Sequence, residues 1–145
     1  MTLKKLFAAI ILFTIFIMPA STAGKQAPKK FGNQNKKVNY DFTKLNYNMT
    51  SALLFDMLVN QDKYLGKVMR FKGLFDYYET ENERLYFALL FDATACCQIG
   101  VNFEDKTKKF PEDFPDTMEE VVVTGTYSVR ILSDGSEYFY LDCGS

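Results

Sequence analysis

The sequence predicts a mainly β protein: a small five-stranded antiparallel barrel with one N-terminal α-helix packed on it, preceded by a signal peptide. Three observations carry this. Between Val68 and Cys143 apolar residues recur at every second position, the pattern of half-buried strands. Gly73 and Gly125 lie inside the first and fourth of these runs, where strongly coiled strands need relief from crowding. Leu6 to Met18 is apolar except for Thr14 and follows Lys4 and Lys5.

That last pattern is that of a secretory signal peptide, with an uncleaved N-terminal anchor as the alternative reading. Its apolar run is too short to span a bilayer comfortably. Pro19 ends it, and Ser21-Thr22-Ala23 offers small residues for cleavage. The expected divisions are residues 1–23 as signal peptide, 24–37 as a flexible basic linker and 38–145 as the folded domain. The linker contains Lys25, Lys29, Lys30, Lys36 and Lys37 and no acid. The domain holds all 18 acids and ten basic residues, a net charge of −8. A secreted or periplasmic location follows. Membrane contact is expected only through the signal segment or the basic linker.

The 145 residues contain no His. This excludes Ser-His-Asp triads, Cys-His dyads, HExxH zinc sites and a His general base. No other nucleophile–base pair is visible, so no catalytic residue and no cofactor is expected.

Thr50 or Ser51 is expected to cap a helix that continues through Ala52 to Asn60. Leu53, Leu54, Met57 and Leu58 share its inner side at helical spacing. The first strand spans Val68 to Tyr78, with Met69, Phe71, Gly73, Phe75 and Tyr77 on one face. Glu79-Thr80-Glu81-Asn82-Glu83 is a polar turn. Arg84 to Asp92 is apolar on both faces, which suits a central strand or one beneath the helix. Ile99 to Glu104 is a short third strand, and Asp105 to Met118, with Pro111 and Pro115, is a loop. Glu120 to Ile131 alternates most cleanly. Ser133-Asp134-Gly135-Ser136 is a hairpin turn, and Glu137 to Cys143 is the fifth strand.

The segments Leu65-Gly66-Lys67-Val68-Met69-Arg70-Phe71-Lys72-Gly73 and Val121-Val122-Val123-Thr124-Gly125 resemble the first and fourth strands of oligonucleotide/oligosaccharide-binding (OB) folds. Between them, Asp92-Ala93-Thr94-Ala95-Cys96-Cys97 is similar to a segment of an uncharacterised group of secreted bacterial OB-like proteins. The resemblance covers Tyr47 to Asp142 and implies an OB-like barrel, with no activity attached. The OB plan places a helix between the third and fourth strands, whereas this chain has a Pro-containing loop there. The helix at Thr50–Asn60 is therefore expected to plug the barrel instead.

An OB ligand face lies on the second and third strands, flanked by the loops joining strands one to two and four to five. Here that region brings Tyr77, Tyr78 and Tyr86 together with Glu79, Glu81, Glu83 and Asp134. The tyrosines suit stacking, but a nucleic-acid groove needs basic residues around them. The expected partner is an extracytoplasmic protein, peptide or small ligand rather than nucleic acid. Glu79, Glu81 and Glu83 alternate and, if extended, share one side; a solvated turn accounts for them equally well.

Cys96, Cys97 and Cys143 are the disulfide or redox candidates. A bridge from one of the pair to Cys143 closes a loop of about 46 residues and stabilises by about 4 kcal/mol in the chain-entropy model. Three buried thiols are the second arrangement. A Cys96–Cys97 bridge is the third; adjacent Cα atoms about 3.8 Å apart strain such a bond and make it labile. No metal site is expected, because Cys ligands alone leave a fourth position unfilled and no His is available. Two functions follow: a non-catalytic binding module using the acidic, Tyr-bearing barrel face, or thiol exchange at Cys96-Cys97.

Overall fold

The computed structural model describes residues 27–145; the segment read as a signal peptide lies outside the described residues. The elements in order are β1 (Lys29–Phe31), β2 (Tyr40–Asp41), a 3-10 turn (Phe42–Lys44), α1 (Tyr47–Val59), α2 (Gln61–Tyr64), β3 (Val68–Glu79), β4 (Arg84–Phe91), β5 (Gln98–Glu104), β6 (Glu120–Ile131) and β7 (Glu137–Asp142). The five long strands close into a barrel in the order β3-β4-β5-β7-β6, with β6 returning to β3.

The barrel is not wholly antiparallel. Strand β5 pairs with β7 in parallel, Phe103 opposite Leu141 and Glu104 opposite Asp142. A ring of five cannot alternate direction all the way round, so one pair has to run parallel. The two short strands add parallel partners outside the ring, β1 on β6 and β2 on β3.

Strand β3 serves two neighbours: Val68–Leu74 pair with β6 and Leu74–Glu79 with β4. Gly73 sits at the changeover, where a Cβ would lie 2.7 Å from the Leu89 carbonyl oxygen. A Cβ on Gly125 would lie equally close to the Asp142 carbonyl oxygen. Both glycines thus mark close backbone approaches.

From residue 27 on, the stretch read as a flexible linker is part of the domain. Phe31 is 1% exposed and packs against Phe103 and Phe114, each ring centroid 4.9 Å away. Lys29 Nζ donates to the Phe114 carbonyl at 2.9 Å, and the Gly32 amide donates to Asp105. Lysines hid this strand because their ammonium groups stay in water while Phe31 alone enters the core.

Helix α1 begins earlier than expected. Asn46, not Thr50 or Ser51, is the N-cap, accepting a 2.9 Å bond from the Met49 amide. Thr50 is buried on the inner face instead, with Met57; Leu53 and Leu54 also pack against the core. Leu58, expected inside, is 62% exposed beside Phe55 and Val59. The helix covers the place where β5 and β7 separate, and leaves there a cavity of about 110 Å³ lined by Leu54, Met57, Tyr127 and Phe139. It does not plug the barrel alone. The loop 105–118 delivers Phe114 among Phe31, Phe75, Tyr86 and Phe103.

At the end of α1, Asp56 accepts bonds from Tyr64, Lys63 and Asn60. These bonds, Tyr64's first, hold its pKa down at about 2. A carboxylate whose pKa is lower folded than unfolded stabilises above the unfolded value, about 3.9, and loses that contribution as pH falls towards the folded one. The urea midpoint should therefore decline between about pH 4 and 2. The decline should be shallower in Asp56→Asn; an identical profile in the variant removes Asp56 as a cause.

Candidate functional site

The structure brings the two expected loops together, but it turns Tyr77 and Tyr78 to opposite sides of β3 and engages Glu79 and Glu83 locally. Tyr77 and Tyr86 are directly opposite on β3 and β4, so both point to the same side; Tyr86 packs against the core, whereas Tyr77, near the end of β3, is 36% exposed. Tyr86 stacks on Phe114 with centroids 4.4 Å apart, and Tyr77 lies 4.9 Å from Phe110. Tyr78 projects to the other side and is 60% exposed.

The carboxylates are largely neutralised locally. Glu79 pairs with Arg84, whose guanidinium lies 4.1 Å above the Phe110 ring. Glu83 accepts a 2.9 Å bond from the Ser133 amide and lies 3.9 Å from Arg130. Arg130 also donates to Glu104 at 2.7 Å and covers Tyr138 at 4.8 Å. The turns at 80–83 and 132–136 are thereby tied together across the end of β7. Asp134 accepts from the Ser136 amide and hydroxyl, at 2.9 and 2.6 Å, and so serves its own turn. Glu81 is exposed and forms no ion pair among the described residues. Glu79, Glu81 and Glu83 do not converge on a common point that would hold a cation.

The register exposes another surface. Leu74 faces Leu89, Asp76 faces Phe87 and Tyr78 faces Leu85. These pairs alternate with the inward Phe75–Ala88 and Tyr77–Tyr86 pairs, so they lie on the outside of the barrel. Leu74, Leu85, Phe87 and Leu89 are half-buried there and take no part in the core. The signal was the apolar character of both faces of β4. Strand β4 is central, as expected, lying between β3 and β5.

The cysteines occupy two separate places. Cys96 and Cys97 are exposed in the turn between β4 and β5, and Cys143 is buried; all three are free thiols. The expected bridge to Cys143 is absent for a topological reason. The Cys143 amide bonds the Glu104 carbonyl at the far end of β5, while Cys97 precedes its first residue. Seven residues of strand separate the two places by about 20 Å. Burial, reinforced by Asp105 and Asp142, pushes the Cys143 thiol well above the ordinary cysteine range. Alkylation of the reduced native protein should therefore add two labels rapidly, and the third only on unfolding. Intact mass with and without denaturant checks this; three rapid labels would contradict the burial of Cys143.

Asp92 organises the turn. Its Oδ1 accepts from the Cys96 amide at 3.0 Å and the Cys97 amide at 3.4 Å. The Asp92 amide bonds the Cys97 carbonyl, and Ala95 takes φ 55° to complete the bend. Cys96 Sγ lies 3.3 Å from Asp92 Oδ2 and 3.5 Å from Cys97 Sγ. Thr94 Oγ1 reaches both Asp92 oxygens and Cys96 Sγ. Partial burial works to raise the Asp92 pKa, but the Cys96, Thr94 and backbone bonds outweigh it and hold it below the usual carboxylate value. The hydrogen bond with Cys96, then the Asp92 charge, raises the Cys97 pKa. Desolvation first, and then the charges of Cys97, Asp92 and Cys96, push the pKa of Tyr47, at the start of α1, above the ordinary tyrosine value. Asp92 and Tyr47 are the residues missed from sequence: Asp92 read as the last residue of a strand, and nothing linked Tyr47 to a turn 45 positions on. Compared with protein-family models, curated proteins and solved structures, the chain matches none of them.

Proposed function

We propose that the protein is an exported, non-catalytic binding module of OB-like build that takes an extracytoplasmic protein or peptide on the outer face of β3 and β4. The observation that carries this is the apolar outer row Leu74–Leu89, Phe87 and Tyr78–Leu85. Contiguous half-exposed apolar groups on strands invite aggregation unless a partner covers them. The strand order supports the OB-like reading. The first barrel strand pairs with the fourth, and the third closes on the fifth in parallel. In such barrels ligands lie against the second and third strands, here β4 and β5, so the proposed face shares β4 with that position and extends from it to β3.

The net charge of −4 over residues 27–145, 18 acids against 14 basic residues, favours a partner whose apolar side chains are flanked by basic ones. Two amphipathic peptides of equal apolar content, one Lys-rich and one Glu-rich, test this against the full chain by NMR. The Lys-rich peptide should shift the resonances of Tyr78, Phe87 and Leu89, and Phe87→Ser should weaken it at least tenfold, or about 1.4 kcal/mol. Neither peptide binding, or Phe87→Ser binding equally well, would sink the proposal.

Export rests on Lys4, Lys5, the Leu6–Met18 run and the small residues at Ser21–Ala23. A mature N-terminus near Gly24 in protein recovered from the native envelope or medium checks it. The alternative, thiol exchange at Cys96-Cys97, requires a depressed thiol pKa, and the neighbours of Cys97 act in the opposite direction.

A further inference from the structure

We propose that Asp92, Cys96 and Cys97 form a binding site for a thiophilic divalent cation of the zinc class. One oxygen and two sulfurs lie within 4.8 Å of one another at the tip of a single turn. Zinc binds thiolate sulfur at about 2.3 Å and carboxylate oxygen at about 2.1 Å, in tetrahedral geometry. Two sulfurs on one such ion stand about 3.8 Å apart, and a sulfur and an oxygen about 3.6 Å. The observed separations are 3.5 Å for the two sulfurs and 3.3 Å for Cys96 Sγ to Asp92 Oδ2. The third pair, Cys97 Sγ and the Asp92 carboxylate, lies within 4.8 Å, and rotation of these exposed side chains would bring it to the separation a shared ion needs.

The turn also has the supporting bonds that metal ligands need. The Cys96 and Cys97 amides fix the carboxylate through Oδ1 and leave Oδ2 directed at sulfur. Thr94 steadies both Asp92 and Cys96 from the side, as outer-shell groups do in metal sites. Asp92 takes part in no ion pair among the described residues, so its carboxylate is not already engaged by a Lys or Arg. Three protein ligands leave a fourth position for solvent or an incoming ligand. Thiolates select soft ions over calcium and magnesium. Binding releases one proton from each thiol to solvent, so affinity rises with pH. The site is separate from the outer sheet face and stands whether or not that face binds a peptide.

Cobalt(II) serves as the probe. Added to the reduced full-length protein, it should give tetrahedral ligand-field bands and sulfur-to-cobalt charge transfer, both abolished by one equivalent of zinc. Cys96→Ser and Cys97→Ser should each remove about half of the charge-transfer intensity, and the double variant all of it. Asp92→Asn should weaken zinc binding at least tenfold while keeping both sulfur contributions. Cys143→Ala, far from the turn, should change neither. Circular dichroism confirms that each exposed-turn variant is folded. The proposal is overturned if the reduced protein gives no charge transfer, or if the signal survives the double variant. It is also overturned if Asp92→Asn binds zinc as tightly as the parent.

Discussion

A chain beginning at Val38 is expected to lose the folded barrel or to retain it only marginally. The cut removes β1 and with it Phe31, a ring at the centre of the core. Truncating such a ring alone, Phe31→Ala, should cost about 3–5 kcal/mol, against a total stability of about 5–15 kcal/mol for a domain of this kind. The backbone reinforces the point. Gly32 follows at φ +75°, and a Cβ there would meet the Thr124 carbonyl oxygen at 1.8 Å, so Gly32→Ala should also be strongly destabilising. Denaturant midpoints of the 38–145 fragment, Phe31→Ala and the parent decide the matter. Equal midpoints for fragment and parent would restore residues 24–37 to the status of a spacer.

Phe114→Ala should be as damaging, although Phe114 belongs to a loop. The ring is 6% exposed and meets Phe31, Phe75, Tyr86, Phe103 and Phe110. Its removal leaves a void at the junction of β1, β3, β4 and β5 that none of these strands can move to fill. The expected loss is about 3–5 kcal/mol, while Phe55→Ala, at a ring 68% exposed on α1, should stay within about 0.5 kcal/mol of the parent. A small effect at Phe114 would mean that the loop rests on the barrel without plugging it.

The long strands were legible because alternation over many residues leaves one reading. Glu120–Ile131 alternates across its whole length, and the observed strand has those bounds. Three residues at Lys29–Phe31 offer no period, and their partner lies more than 90 positions away in the chain. The start of α1 was ambiguous because Asn46 and Thr50 are both good caps; the choice depends on which side chain the barrel buries. Phe110 and Phe114 are spaced as on one helical face, but the flanking prolines concealed their inward role. For the site, residue types gave the thiols, while register decided the rest. It turned Tyr86 into the core and set Cys143 a strand's length from the vicinal pair. The Asp92 carboxylate met that pair through a bend that only backbone conformation reveals.

The return of β6 to β3 also sets the order of events when the chain folds. Val68 must find Thr126 and Lys29 must find Val121, while the ring stays open until Leu141 meets Phe103. The local hairpins β3–β4 and β6–β7 do not close the ring; each of these long-range contacts closes a long loop whose entropy is lost before the contact rewards it. Folding should accordingly take milliseconds to seconds rather than microseconds. Until Glu137–Asp142 is free to pair, β5 and β6 both present unpaired edges. A nascent chain stalled ahead of β7 is therefore the species most prone to associate with its own copies.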